Sequence, residues 1–206
     1  MSDSSAADDA GSDAEVLVVG GGPAGLSAAL FTQKNGLETT VFDTDETWMH
    51  KAHLFNYLGI GSVGGSEFMA TARQQVDDLG VDRQQGVEVT GVESTDDGFV
   101  VETDEGTEEA EYVVLATGAN RELADDLGCD FTDEDVVDVG VEMETSVEDA
   151  YATGAMVRVE EWQAAIAVGD GGAAGLNILS KERGERYHDF DVPADAEQVF
   201  GDVIAE

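Results

Sequence analysis

The run Glu15-Val16-Leu17-Val18-Val19-Gly20-Gly21-Gly22-Pro23-Ala24-Gly25-Leu26-Ser27-Ala28-Ala29-Leu30-Phe31 decides the fold. Glu15 to Val19 reads as a short apolar strand, and Leu26, Leu30 and Phe31 recur at helical spacing. Pro23 stands where a first helical residue belongs, and Gly36 stands where the helix should stop. Between strand and helix lies Gly20-x-Gly22-x-x-Gly25. Gly20 permits the tight turn, Gly22 lets backbone approach a pyrophosphate, and Gly25 lets helix and strand pack closely. The helix N-terminus then offers free N–H groups and a positive dipole end to phosphates. A second strand, Glu38–Asp43, ends in an acid 23 residues after Gly20. A carboxylate there accepts hydrogen bonds from ribose hydroxyls and repels a 2′-phosphate. The pattern predicts a dinucleotide-binding strand–turn–helix. A glycine-rich turn without any ligand is the alternative.

Working outward, residues 1–14 read as a disordered acidic leader. Thr44–Gly65 is irregular, with His50 and His53 among aromatics. Ser66 can cap a helix ending at Gly80, with Phe68, Met69, Ala72, Val76 and Leu79 on one face. Strands follow at Val87–Glu93, Phe99–Thr103 and Glu111–Ala116, joined by Asp96-Asp97-Gly98 and Asp104-Glu105-Gly106 turns. A short helix (Arg121–Leu127), short strands (Val136–Val139 and Ala150–Thr153) and a longer helix (Trp162–Leu179) complete the domain, 15–184. The acidic tail, 185–206, has no assigned place. This order suggests a parallel sheet with a small meander packed on it.

Composition bounds the function. The 206 residues carry 9 Lys+Arg against 46 Asp+Glu, a formal net charge of −37. Such a surface repels phosphate backbones and anionic lipids, so neither nucleic acid nor membrane is an expected partner. The acids are spread along the chain, as in cytoplasmic proteins of salt-accumulating cells, and a halophilic, cytoplasmic protein is expected. A single cysteine, Cys129, excludes an intramolecular disulfide and any Cys-x-x-Cys motif. The uncharged stretch Val16–Gln33 contains glycines and a proline early on and reads as strand–turn–helix rather than a membrane span.

With these residues in place the chain resembles the FAD-binding domain of thioredoxin-reductase-like pyridine nucleotide–disulfide oxidoreductases. Gly20, Gly22, Pro23, Ala24 and Gly25 match that family's pyrophosphate loop, and Asp43 matches its ribose-binding acid. Asn56-Tyr57-Leu58-Gly59 resembles the Asn-Tyr-Pro-Gly segment near the flavin. Val89 falls where a backbone contact to adenine is usual, and Ala116, Thr117 and Gly118 resemble the strand end beside the cofactor. Thr145–Gly154 resembles the segment ending in Gly-Asp, with Ala155 in place of the Asp, and Gln163-Ala164 opens the helix pointing at the flavin. The resemblance implies an α/β, three-layer FAD/NAD(P)-binding Rossmann-like domain, with a parallel sheet, helices on one side and a three-stranded meander on the other. It implies FAD as cofactor, with NAD as the alternative that Asp43 also permits.

Three departures shape the functional expectation. Only Asn120–Glu144 stands where relatives insert an NAD(P)H domain, the dithiol is absent, and Ala155 replaces the ribityl-binding acid. The expected function is an FAD-dependent oxidoreductase without its own NAD(P)H domain. Electrons would come from a protein donor or a freely bound nicotinamide and pass to a partner, with a homodimer left open. A non-catalytic nucleotide-binding or interaction module is the competing reading. No catalytic residue is assigned. His50 and His53 suit a proton-transfer role beside the flavin better than a metal site, for which Asp45 or Glu46 could supply the further ligands. Trp48, Phe55 and Tyr57 read as core, Cys129 as a buried thiol, and Gly169–Ala174 as a small-residue helix rather than a second nucleotide site. The charge generates the first prediction. Self-repulsion weakens as the screening length falls to ~3 Å near ~1 M salt. Thermal melts across a KCl series are expected to show a rising midpoint, and a midpoint independent of salt contradicts the halophilic reading.

Overall fold

The computed structural model describes residues 14–191. The leader at 1–13 and the tail at 192–206 therefore lie outside the described residues, while Ala14 opens the first strand. In chain order the elements are β1 (Ala14–Val19), α1 (Pro23–Lys34), β2 (Thr39–Asp43), a 3-10 turn (Trp48–Lys51), β3 (His53–Leu54) and β4 (Val63–Gly64). Then come α2 (Gly65–Asp78), β5 (Asp82–Gln85), β6 (Val89–Thr95), β7 (Gly98–Thr103) and β8 (Thr107–Leu115). After these follow α3 (Glu122–Leu127), β9 (Ala150–Ala152), a second 3-10 turn (Gly154–Val157) and α4 (Ala164–Glu182).

Among the described residues the main sheet runs β5-β2-β1-β8-β7-β6, with β9 also paired to β8. Strands β5, β2, β1, β8 and β9 are mutually parallel, whereas β7 and β6 run antiparallel as the meander. Strand β8 is longer than its expected span because one edge serves two partners. Thr107–Ala110 pairs with β7, and Val113–Leu115 pairs with β9. Strand β1 is buried on both faces, which is why it reads as an unbroken apolar run. Its alternate side chains separate two cores. Val16 and Val18 pack with Leu26, Ala28 and Ala29 of α1, Met69 and Val76 of α2, and Ile178 of α4. Leu17 and Val19 pack with Val92, Phe99 and Val101 of the meander and Ala124 of α3. The result is the expected three-layer α/β domain, with α3 on the meander side.

Several expectations need correction. The polar strand β5, Asp-Arg-Gln-Gln, carries no apolar signal because it is the exposed edge beside β2. Val136–Val139 forms no strand. Its backbone bonds scatter to Thr132, Met156 and Asp130, leaving one isolated bridge between Phe131 and Val137. Helix α2 starts at Gly65 with Gly64 as its cap, and Ser66 bonds His50 instead. Leu79 lies at the helix end and is exposed. The expected glycine stops at Gly36 and Gly80 hold, and Gly128 adds a third. Gly36, Gly80 and Gly128 adopt positive φ, and each closes its helix with the paired backbone bonds of a Schellman motif. Cys129 follows the last of these, 6 % exposed, as the apolar residue that seals the turn.

Helix α4 explains the second glycine cluster. A Cβ on Gly171 would lie 2.0 Å from the Ala24 carbonyl oxygen, and one on Gly175 would lie 2.9 Å from Phe31. Ser27 Oγ adds a 2.7 Å bond to the Val168 carbonyl. The Gly169–Ala174 segment lies wholly inside α4, so it serves helix–helix contact. Beyond α4, Tyr187 donates to Asn35, and Lys34 pairs with Asp189 and Asp191, seating the start of the tail on the end of α1. This packing separates two neighbouring glycines. A Cβ on Gly169 meets nothing within 4 Å. Gly169→Ala is expected to gain up to about 1 kcal/mol from helix propensity. Gly171→Ala drives a methyl into backbone and is expected to lose about 1–3 kcal/mol. Melting midpoints should move in opposite directions, and equal shifts would refute the packing account.

Candidate functional site

A cleft of about 1040 Å³ opens at the carboxyl ends of β1, β2 and β8. Gly20 turns at φ +115°, and its amide donates to the Phe42 carbonyl at 2.9 Å. A Cβ there would meet the Ala116 carbonyl oxygen at 2.4 Å, so the loop lies directly against the end of β8. Gly22 has φ −81° and ψ −176°, and a Cβ on it would project into open space, with Thr47 Oγ1 3.9 Å away. Helix α1 has no side-chain cap and no acid in its first turn. Its first intrahelical bond is Leu26 N to Gly22 O, which leaves the Ala24 and Gly25 amides without an intrahelical acceptor.

Asp43 stands across from this cradle, 3 % exposed. Its Oδ1 accepts from the Asp45 amide at 2.8 Å. Its Oδ2 lies 2.9 Å from Arg73 Nη2 as an ion pair, yet is buried without an aligned hydrogen bond. The carboxylate rests on Gly21, where a Cβ would fall 2.1 Å from Asp43 Cγ. Asp45 beside it is held below the usual carboxylate range by the Arg73 guanidinium and then by His50.

The structure brings most of the expected site together. Gly20, Gly22, Pro23 and Ala24 line the cleft with Asp43 and Val89. So do Ala116, Thr117 and Gly118 at the end of β8, and Gly154, Ala155, Gln163 and Ala164 before and at the start of α4. Two residues fall outside the lining. Gly25 lies beneath the loop, where a Cβ would be 1.9 Å from the Gly20 carbonyl oxygen. Asn56 sits at the rim and donates to Gln163 Oε1 at 2.6 Å.

Other expectations change. His50 and His53 fall on different elements and neither lines the cleft. His50 lies 2.6 Å from Asp45 Oδ1 and 2.9 Å from Ser66 Oγ, and His53 contacts Ser62 Oγ, so their polar atoms serve local structure. Among the described residues no His/Cys/Asp/Glu group has the form of a metal site. Trp48 and Phe55 are exposed rather than core, and only Tyr57 is half-buried, against Phe68. Trp48 and Trp162, with ring centroids 5.2 Å apart, instead form an aromatic edge of the cleft. Sequence reading missed this pair because its members stand 114 positions apart. Burial pushes the Cys129 thiol up, away from thiolate chemistry. Besides Asp43, the carboxylates Glu46, Glu88, Asp104, Glu122, Asp126 and Glu161 line the cleft, and no Lys, Arg or His does.

Comparison with known proteins places this geometry. Residues 56–169, more than half of the chain, match the model described as pyridine nucleotide-disulphide oxidoreductase, and residues 15–53 match the FAD binding domain model. The chain belongs to the pyridine nucleotide-disulphide oxidoreductase family. The F component of alkyl hydroperoxide reductase from Staphylococcus aureus is 33% identical over 112 residues, 51% of this chain. The chain covers only 21% of that relative's length. In fold it is similar to T. acidophilum thioredoxin reductase (TM-score 0.77, 18% identity, 83% of this chain and 99% of that one). It is likewise similar in fold to a ferredoxin-flavin thioredoxin reductase from Clostridium acetobutylicum (TM-score 0.73, 18% identity, 84% and 99%). Among the described residues no helix is long and apolar enough to cross a membrane.

The Gly22 cradle can be tested directly in this family member. Gly22 has an ordinary φ and open space, so Gly22→Val should fold normally while its side chain fills the cradle. Titration with FAD is expected to show at least about tenfold weaker binding, ~1.4 kcal/mol, with an unchanged melting midpoint. Unchanged affinity would place the ligand elsewhere.

Proposed function

We propose that this chain binds FAD in the cleft and acts as a flavin oxidoreductase of the thioredoxin-reductase type, exchanging electrons with a partner rather than with an NAD(P)H domain of its own. The observation that carries the reading is the pairing of the open Gly22 cradle with the Asp43 carboxylate that closes β2 on the facing wall of the same cleft. These features fit the ADP half of the dinucleotide. The α1 amides face where phosphates would lie, and Asp43 would take the ribose hydroxyls. Thr117, Gly118, Gly154 and Gln163 wall the remainder, and Trp48 and Trp162 restrict one side of its opening. When bound, FAD supplies electron and hydride transfer, while the protein binds, orients and shields it.

The partner reading rests on two supports. Between α3 and β9 the chain forms loops closed by single bridges, Phe131 to Val137 and Glu144 to Tyr151. The similar Clostridium protein is named a ferredoxin-flavin thioredoxin reductase, a name that joins flavin to a protein electron carrier. The same reading includes a cytoplasmic, halophilic setting, supported by the charge of −37. Ala155 favours a second reading, a nucleotide-binding module that has lost catalysis. It lines the cleft without offering a side-chain acceptor.

Purification in multimolar KCl, a visible spectrum and mass spectrometry of released nucleotide test the two. A yellow protein releasing FAD is expected. A colourless protein that cannot be loaded with FAD supports the module, and release of NAD overturns the choice of cofactor. Ala155→Asp sharpens the result. One charged hydrogen bond to the ribityl chain, worth about 1.5–3 kcal/mol, should tighten FAD binding roughly 10- to 100-fold. Equal or weaker binding by the variant would reject the family pose.

A further inference from the structure

Two of the six arginines converge on Asp43 from elements behind the cleft wall. Arg73 arrives from α2, and Nη2 reaches both Asp43 Oδ2 at 2.9 Å and Asp45 Oδ1 at 2.5 Å. Arg83 arrives from β5 with Nη1 4.0 Å from Asp43 Oδ2, held by two 2.9 Å bonds to Asp77. Neither arginine lines the cleft. Arg73 Nε, like Asp43 Oδ2, is buried without a hydrogen bond.

A carboxylate buried without a cation beside it is costly, and Arg73 supplies that cation. Lys would supply charge alone, whereas the planar guanidinium reaches two carboxylates and fixes their relative position. We propose that Arg73 is the positioning residue for ribose recognition. It holds Asp43 against Gly21 as an oriented anion, so that the carboxylate accepts the adenosine-ribose hydroxyls of a bound dinucleotide. Arg83 reinforces the field from the second side. The assignment rests on the ADP half of the reading proposed above and not on the flavin.

The test uses calorimetric titration with ADP and 2′,3′-dideoxy-ADP in multimolar KCl, alongside FAD. The wild type is expected to prefer ADP over the dideoxy analogue by about 10- to 100-fold. Arg73→Met should collapse that preference towards unity while leaving dideoxy-ADP affinity nearly unchanged. Arg73→Lys, which keeps charge but not the planar guanidinium, should retain part of it. A folded Arg73→Met with the wild-type preference overturns the assignment, as does parallel loss of both ligands, which marks a merely structural role. Should Arg73→Met fail to fold, a wild-type preference in Arg73→Lys overturns it equally. A wild type without preference overturns it outright. A wild type that prefers ADP but does not take up FAD refutes the flavin reading, and the Arg73 variants still decide the assignment.

Discussion

Helix α1 begins where three backbones crowd together, and the candidate site depends on that crowding. Gly25 sits on the Gly20 carbonyl, Gly171 sits on the Ala24 carbonyl, and Gly154 brings the turn before α4 to the Ala24 side chain. A methyl group on Gly25 or Gly171 would meet a backbone oxygen at 2.0 Å or less, and side-chain repacking cannot relieve such a contact. The direction in which the first α1 amides point is therefore set by β1, α4 and the Gly154 turn together. The phosphate cradle belongs to the packing of the domain as much as to the glycine loop.

The scarce cations follow a similar logic. Arg73 and Arg83 flank Asp43, Arg158 pairs with the buried Asp170, and Lys181 ties Glu144 to Asp149. Arg121 donates to the carbonyls of Ala155 and Met156 and so braces the turn at the cleft wall. These cations act as internal ties rather than as a surface coat. Exposed ion pairs contribute little to stability, while a buried carboxylate left unpaired costs several kcal/mol. Of the nine Lys and Arg, three pair with the two buried carboxylates, Asp43 and Asp170.

The strand–glycine loop–helix and the acid closing β2 were legible because periodicity, Pro23, Gly36 and Asp43 all agree on one local structure. The helix stops at Gly36 and Gly80 were legible for the same reason, since each takes a conformation that other residues resist, whereas the stop at Gly128 emerged only in the structure. What escaped the sequence was set by tertiary context. Strand β5 is polar because it is an edge, and β8 is long because two strands share its side. Val136–Val139 has the composition of a strand but no continuous neighbour to pair with. At the site, Arg73 was invisible as a functional residue because it acts from α2, thirty positions from the acid it holds.

The cleft wall has a further consequence. Seven carboxylates and no cationic side chain surround a space suited to an anion, so mobile cations must gather there. For a cationic groove, an arriving polyanion releases counterions and salt weakens the complex. Here the order would be reversed: a pyrophosphate entering this cleft would draw cations in with it, so added salt would favour the complex rather than weaken it. The bulk electrolyte becomes a silent third component of the binding equilibrium, and dilution would empty the cleft even where the fold survives.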